Sequence, residues 1–194
     1  MFAELSSEFL EIIGSISIAS VILERVMQLT ISESIGIDEN LMQRLIATDS
    51  FDILLSKFKK LFIYKIHDEG IESKELLDEI DKLYDTLYKT NEKRNKFLHS
   101  FWYTDEEGNL SRHKFKRNIN KNPSIDEFET ITLDSLKKFL EEMNNTVAEL
   151  ENFGDKIINL LSNKTNNKLA ELLVNKIELD NAKNNKETEN QKET

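Results

Sequence analysis

Arg94, Asn95 and His99 are the side chains of this chain whose types and spacing could move a proton and hold an anion. They lie in the stretch Lys93-Arg94-Asn95-Lys96-Phe97-Leu98-His99-Ser100-Phe101-Trp102. An imidazole titrates close to neutral pH and so gives and takes protons there. A guanidinium presents a planar fork of donors to developing negative charge. A carboxamide one turn before the histidine can orient the ring or hold a phosphate oxygen.

The element that must position these groups is a helix with the apolar stripe Leu76, Leu77, Ile80, Leu83, Tyr84, Leu87. At about 100° per residue, Arg94 falls within that stripe. Asn95 and His99 share its edge beside Tyr84 and Tyr88, and Leu98 and Trp102 resume the apolar line. Polar groups in such positions need partners. A structural reading stands beside the chemical one: Arg94 pairs with a helix carboxylate while its stem lies along apolar surface, and His99 bonds a carbonyl in the last turn. Residues five apart also diverge by about 140° around a helix. For Arg94 and His99 to act together, either the helix end is irregular or two chains share the site.

Arginine, a polar residue, any three residues, then histidine, late in a helix of an all-helical chain, resembles the signature of the HEPN superfamily. The phrase Ser50-Phe51-Asp52-Ile53-Leu54-Leu55 is similar to the second helix of a HEPN-like bacterial branch whose motif ends in His-Ser or His-Gly with a tryptophan following. The resemblance implies a metal-independent endoribonuclease that needs no cofactor and cleaves RNA by attack of the 2′-hydroxyl on the adjacent phosphorus. Arg94, Asn95 and His99 would be catalytic, with no metal ligands. It also implies a homodimer in which two motifs meet across a two-fold axis. Such an enzyme acts as a toxin or antiphage-defence component, restrained by a nucleotidyltransferase-type antitoxin or another defence-system protein. HEPN-like dimers that only bind or scaffold are the alternative, and a fold does not choose between them.

The whole chain has 194 residues, 39% of them apolar and 32% charged, with five Gly and one Pro. That composition predicts an all-α protein, an up-and-down bundle of four or five helices with a small β-ribbon insertion. The expected domain covers 1–162, with the insertion at about 103–131. A short C-terminal helix and a disordered tail are expected over 163–194. The absence of cysteine excludes a disulfide framework and a thiol nucleophile. The most apolar run, Ile12 to Leu23, falls short of the roughly 20 residues that span a bilayer, and a cytoplasmic, core-forming role is expected for it. A net charge of −10 argues against a general nucleic-acid coat. RNA contact must then be local, and the one basic patch has Arg112, Lys114 and Lys116 alternating on one strand face, with Arg117 and Lys121 nearby. Its structural alternative is an edge strand kept soluble by charge.

Along the chain, Leu5 to Leu29 carries two apolar faces, so the first helix needs two neighbours, and one face is a candidate dimer seam. Glu39–Ala47 predicts a short helix. Thr48-Asp49-Ser50 supplies N-cap oxygens for a helix through Phe51, Leu54, Phe58 and Phe62, and Ser73 caps the motif helix, which runs to about His99 or Trp102. After the insertion Thr132 caps a helix whose seam runs Leu133, Leu136, Leu140, Met143, Val147, Leu150, Gly154, at a 3.5-residue period. Asn163-Lys164-Thr165-Asn166-Asn167 is expected to end it. His67 and His113 are assigned no chemistry.

Overall fold

Each long helix begins where a hydroxyl can accept one of the backbone N–H groups that have no partner inside the helix. A computed structural model describes residues 5–36, 38–46, 49–104, 109–115 and 126–190, with positions 39, 42, 45, 46, 114, 115, 126–128 and 165–190 described by backbone alone. Ser6 Oγ accepts from the Phe9 N–H at the start of α1 (Ser7–Ile35), and Ser50 Oγ from the Ile53 N–H at the start of α3 (Phe51–Asp68). Ser73 Oγ does the same for Leu76 in α4 (Lys74–Leu98), and Thr132 Oγ1 for Ser135 in α5 (Leu133–Asn190). The short α2 (Glu39–Ile46) follows Gly36, which ends α1 at φ 71°, a left-handed conformation that costs glycine little.

Between α4 and α5 lie β1 (Phe101–Thr104), β2 (Leu110–Phe115) and β3 (Asp126–Thr130), an antiparallel sheet in the order β1-β2-β3. The architecture is therefore an all-α bundle with a small β insertion, as composition and periodicity predict. Phe101 and Trp102 belong to the first strand, so the motif helix stops at Leu98 and His99 is its C-cap. No helix among the described residues is long and apolar enough to cross a membrane.

The chain divides into two units, Met1–Gly154 and Asp155–Thr194, and α5 runs through the boundary. The expected break at Asn163–Asn167 is absent, because α5 continues as one helix to Asn190. That segment contains neither Gly nor Pro, and Asn, Lys and Thr each disfavour a helix interior by roughly 0.7 kcal/mol or less. The tail expected from Lys183 onward is likewise helical as far as Asn190.

In the first unit, Phe9, Ile12, Ile16 and Ala19 of α1 pack against Phe97 of α4, Ile131, and Leu136, Phe139 and Met143 of α5. A second aromatic group joins Phe58 and Phe62 of α3 to Phe153 of α5, with ring centroids 6.0 and 5.2 Å apart. The buried line of α5 in this unit is thus Leu136, Phe139, Met143, Thr146, Leu150, Phe153, while Leu133, Leu140 and Val147 are half-buried. The expected seam is rotated toward the bulky Phe139, which is buried where Leu140 is only half-buried, and toward Phe153 beside the buried Gly154. Gly154 sits where a Cβ would come 2.9 Å from Thr30 Cγ2, so its lack of a side chain lets α5 approach α1 closely.

Candidate active site at the end of the fourth helix

The stripe of α4 does not simply stop at Arg94. Leu76, Ile80, Leu83 and Leu87 are buried, and burial continues through the polar Thr90 and Asn91 before Phe97 restores an apolar contact. Thr90 Oγ1 lies 3.4 Å from Thr146 Oγ1, and Asn91 Nδ2 donates to Asp52 Oδ1 at 2.8 Å. Hydroxyls and a carboxamide therefore form a polar layer in the bundle just before the arginine, with partners for their donors.

Arg94 leaves α4 toward α1 and α3. Its Nη2 meets Glu24 Oε1 of α1 at 3.2 Å, and its Nη1 donates to Asn91 Oδ1 at 3.2 Å and more loosely to Asn95 Oδ1 at 3.5 Å. The guanidinium carbon lies 6.0 Å from the centre of the Phe51 ring, within cation–π reach. Nε is buried without a hydrogen-bond partner among the described residues. Ser20, Leu23, Phe51, Thr90, Asn91 and Met143 line the crevice beside it, which is too narrow for a water molecule. The structural expectation for Arg94, a pair with a helix carboxylate, is met here. Even so, 23% of the side chain remains exposed.

His99 has left the helical conformation, at φ −107° and ψ 25°, and its backbone N–H still donates to the Asn95 carbonyl at 3.2 Å. The residue is exposed. Asn95 is half-buried and its carboxamide oxygen serves Arg94. Within one chain, then, Arg94 is turned into the bundle while His99 faces solvent at the cap. The helix end is irregular at His99, yet it leaves the two side chains apart within one chain.

Beyond the cap the insertion is fastened to the helix end. Trp102 Nε1 donates to the Phe97 carbonyl at 2.9 Å, and the indole lies between Phe97 and Phe9, with centroids 6.2 and 5.0 Å away. Ser100 Oγ donates to the Lys96 carbonyl and accepts from Arg112 Nη1. Glu129 Oε2 receives Arg112 through Nε at 2.7 Å and Nη2 at 2.5 Å, and Lys96 Nζ at 2.6 Å. Burial pushes the Glu129 carboxyl up, but the hydrogen bonds and charges of Lys96 and Arg112 outweigh it and hold the group below its ordinary range.

The basic patch is accordingly not uniform. Arg112 is only 2% exposed, and it faces Trp102 and Glu129 across the sheet, on the side that packs against the bundle. Side chains directly opposite on neighbouring strands interact, so Glu129 neutralises the arginine expected to track a phosphate. Lys114 stands two residues along β2 with its side chain outside the described set, and Lys116 and Arg117 lie outside the described residues altogether.

Three residues around Arg94 carry no weight in the linear motif: Glu24, Asp52 and Asn91. Glu24 is a carboxylate in the line between Leu23 and Met27, and Asn91 stands one turn before Asn95, so both carried a local signal. Among the described residues no group of three His, Cys, Asp or Glu side chains is gathered to hold a metal ion. No family model, no curated protein and no solved structure matches the chain.

Proposed function

We propose that this protein is a metal-independent endoribonuclease of HEPN type, with Arg94, Asn95 and His99 as its catalytic residues. The observation that carries the reading is the complete motif on the last turns of α4, with His99 exposed at the cap and the Arg94 guanidinium aimed by Asn91 and Asn95. In the reaction His99 takes the proton of an RNA 2′-hydroxyl. The 2′-oxygen bonds to phosphorus, the bond from phosphorus to the 5′-oxygen breaks, and the departing oxygen regains a proton from the imidazolium or water. Arg94 offsets the charge that gathers on the phosphorane. The products are a 2′,3′-cyclic phosphate and a 5′-hydroxyl. Because Arg94 and His99 diverge within one chain, the reading requires two copies that share a site. A toxin or antiphage-defence role, with a nucleotidyltransferase-type antitoxin or other defence-system protein as partner, goes with it.

One observation favours a second reading, a non-catalytic HEPN-like module for binding or scaffolding. The Glu24 carboxylate already neutralises Arg94 and occupies one of its terminal nitrogens. The test is single-stranded RNA incubated with pure protein in EDTA, beside the His99→Ala protein. The enzyme reading expects cyclic-phosphate ends without metal and a rate lower by about 10²–10⁴ for the variant. Full activity in His99→Ala, or activity that vanishes in EDTA and returns with magnesium, overturns the mechanism. No cleavage at all leaves the scaffold.

A further inference from the structure

Asn91 is buried on α4, with 3% of its surface exposed, and its two ends meet groups of opposite kind. Nδ2 donates to Asp52 Oδ1 at 2.8 Å, while Oδ1 accepts from Arg94 Nη1 at 3.2 Å. A carboxylate only accepts and a guanidinium only donates. The carboxamide therefore has one orientation open to it, since the reverse would set oxygen against oxygen and N–H against N–H. Asp52 stands in the first turn of α3, and the Phe51 ring beside it is centred 6.0 Å from the guanidinium carbon.

From these contacts we infer that Asp52 is a positioning residue: from the start of α3 it fixes the Asn91 carboxamide and, through it, the Arg94 guanidinium. This role deepens the ribonuclease reading and rests on it where rates are concerned. In the free protein Arg94 is held from two sides, by Glu24 on Nη2 and by Asn91 and Asn95 on Nη1. A scissile phosphate that replaces Glu24 removes one of those sides. The fork is then kept in place by the grip on Nη1, where the 3.2 Å bond to the buried Asn91 is shorter than the 3.5 Å one to the half-buried Asn95. A side chain that must meet charge as it develops gains from being fixed beforehand. Asn91 supplies that fixity because its other end is tied to a different helix.

An acid in the first turn of α3 also suits the helix dipole. That role needs the charge of residue 52, whereas the relay needs only an acceptor there. Asp52 is exposed, so a carboxamide in its place is free to turn its oxygen toward Asn91. Asp52→Asn therefore keeps the relay and loses the charge, and Asp52→Leu loses both.

The experiment has one arm with RNA and one without. In steady-state cleavage of single-stranded RNA in EDTA, Asp52→Leu is expected to lower kcat by up to about 10²-fold, the scale of a misplaced catalytic group. KM should change little, because the fork acts on charge that develops only in the transition state. Asp52→Asn is expected to recover the rate. An equal loss in both variants assigns Asp52 to the helix dipole and overturns the relay, and an unchanged kcat in Asp52→Leu overturns it while sparing the enzyme. The second arm reads rotation of the guanidinium from the side-chain nitrogen resonances of Arg94 by NMR, identified by their loss in Arg94→Lys. Separate Nη1 and Nη2 signals are expected in wild type and Asp52→Asn, and an averaged signal in Asp52→Leu. That pattern in a protein that cleaves no RNA keeps the relay and refutes the enzyme alone; averaged signals in wild type, or separate ones in Asp52→Leu, overturn the relay. Asn91→Asp sets two carboxylates face to face, and adding Asp52→Asn puts a donor back between them. The urea midpoint should fall in the single variant and recover in the double, and equal midpoints would remove the link between positions 52 and 91.

Discussion

Arg94 and Arg112 both lie near the end of α4, and each meets a glutamate carboxylate. Arg112 is buried and held by Glu129 through two of its nitrogens, with Lys96 on the same oxygen and Ser100 behind it. Arg94 meets Glu24 through a single 3.2 Å contact, and both side chains are part-exposed. A buried charge held by several partners cannot exchange them without a large penalty. A part-exposed one, 23% exposed and held by one longer contact, can give up that partner to an incoming phosphate at a smaller cost. The two arginines thus separate a side chain that fastens the insertion from one that retains capacity for a ligand.

Removal of the carboxylates is the most direct way to break this contrast. Glu129→Ala removes the carboxylate that meets the buried Arg112 and is expected to lower unfolding free energy by about 2 kcal/mol, less than for a fully buried pair because the Glu129 side chain is 38% exposed, measured by urea denaturation. Glu24→Gln disturbs a part-exposed pair and is expected to change stability by about 1 kcal/mol or less. Equal losses in the two proteins would erase the distinction. The contrast also has a pH signature. The folded Glu129 carboxyl lies below its ordinary value of 4.5, so its contribution is fully present above that value and is lost as pH falls through the lower folded value. The stability difference between wild type and Glu129→Ala should therefore shrink in melts taken at successively lower pH below about 4.5; a difference that persists unchanged would assign the effect to packing.

The smallest expected effect concerns the rest of the basic patch. Lys114 and Lys116 should contribute to RNA affinity and not to catalysis, and their joint replacement should lower the salt dependence of binding by roughly 0.7 in log–log slope for each phosphate no longer neutralised. An unchanged slope would put these lysines with Arg112, outside the RNA surface.

Much of this architecture was legible because its signals are local. The caps at Ser50, Ser73 and Thr132, the core stripe of α4 and the change of periodicity after Trp102 each depend on neighbours a few residues away. Which carboxylate each arginine meets was not legible, because Glu24 reaches Arg94 from another helix and Glu129 reaches Arg112 from another strand. Strand alternation shows that Arg112 and Lys114 share a face, yet it does not tell which face meets the bundle. The continuation of α5 through Asn163–Asn167 was hidden for a different reason. A run of polar residues resembles a linker in composition, although none of them prevents a helix from forming.

The chain contains one tryptophan, and Trp102 stands where the sheet meets the helix end, its indole between Phe9 and Phe97 and its N–H on a carbonyl of the last turn. The molecule thus carries its own optical probe at this joint. Selective excitation of that ring reads the joint without a label. If the sheet lifts from the helix, the indole enters water and its emission moves to longer wavelength. A nucleic acid that settles beside His99 would do so three residues from the fluorophore, so binding and undocking become separable by the colour of one side chain.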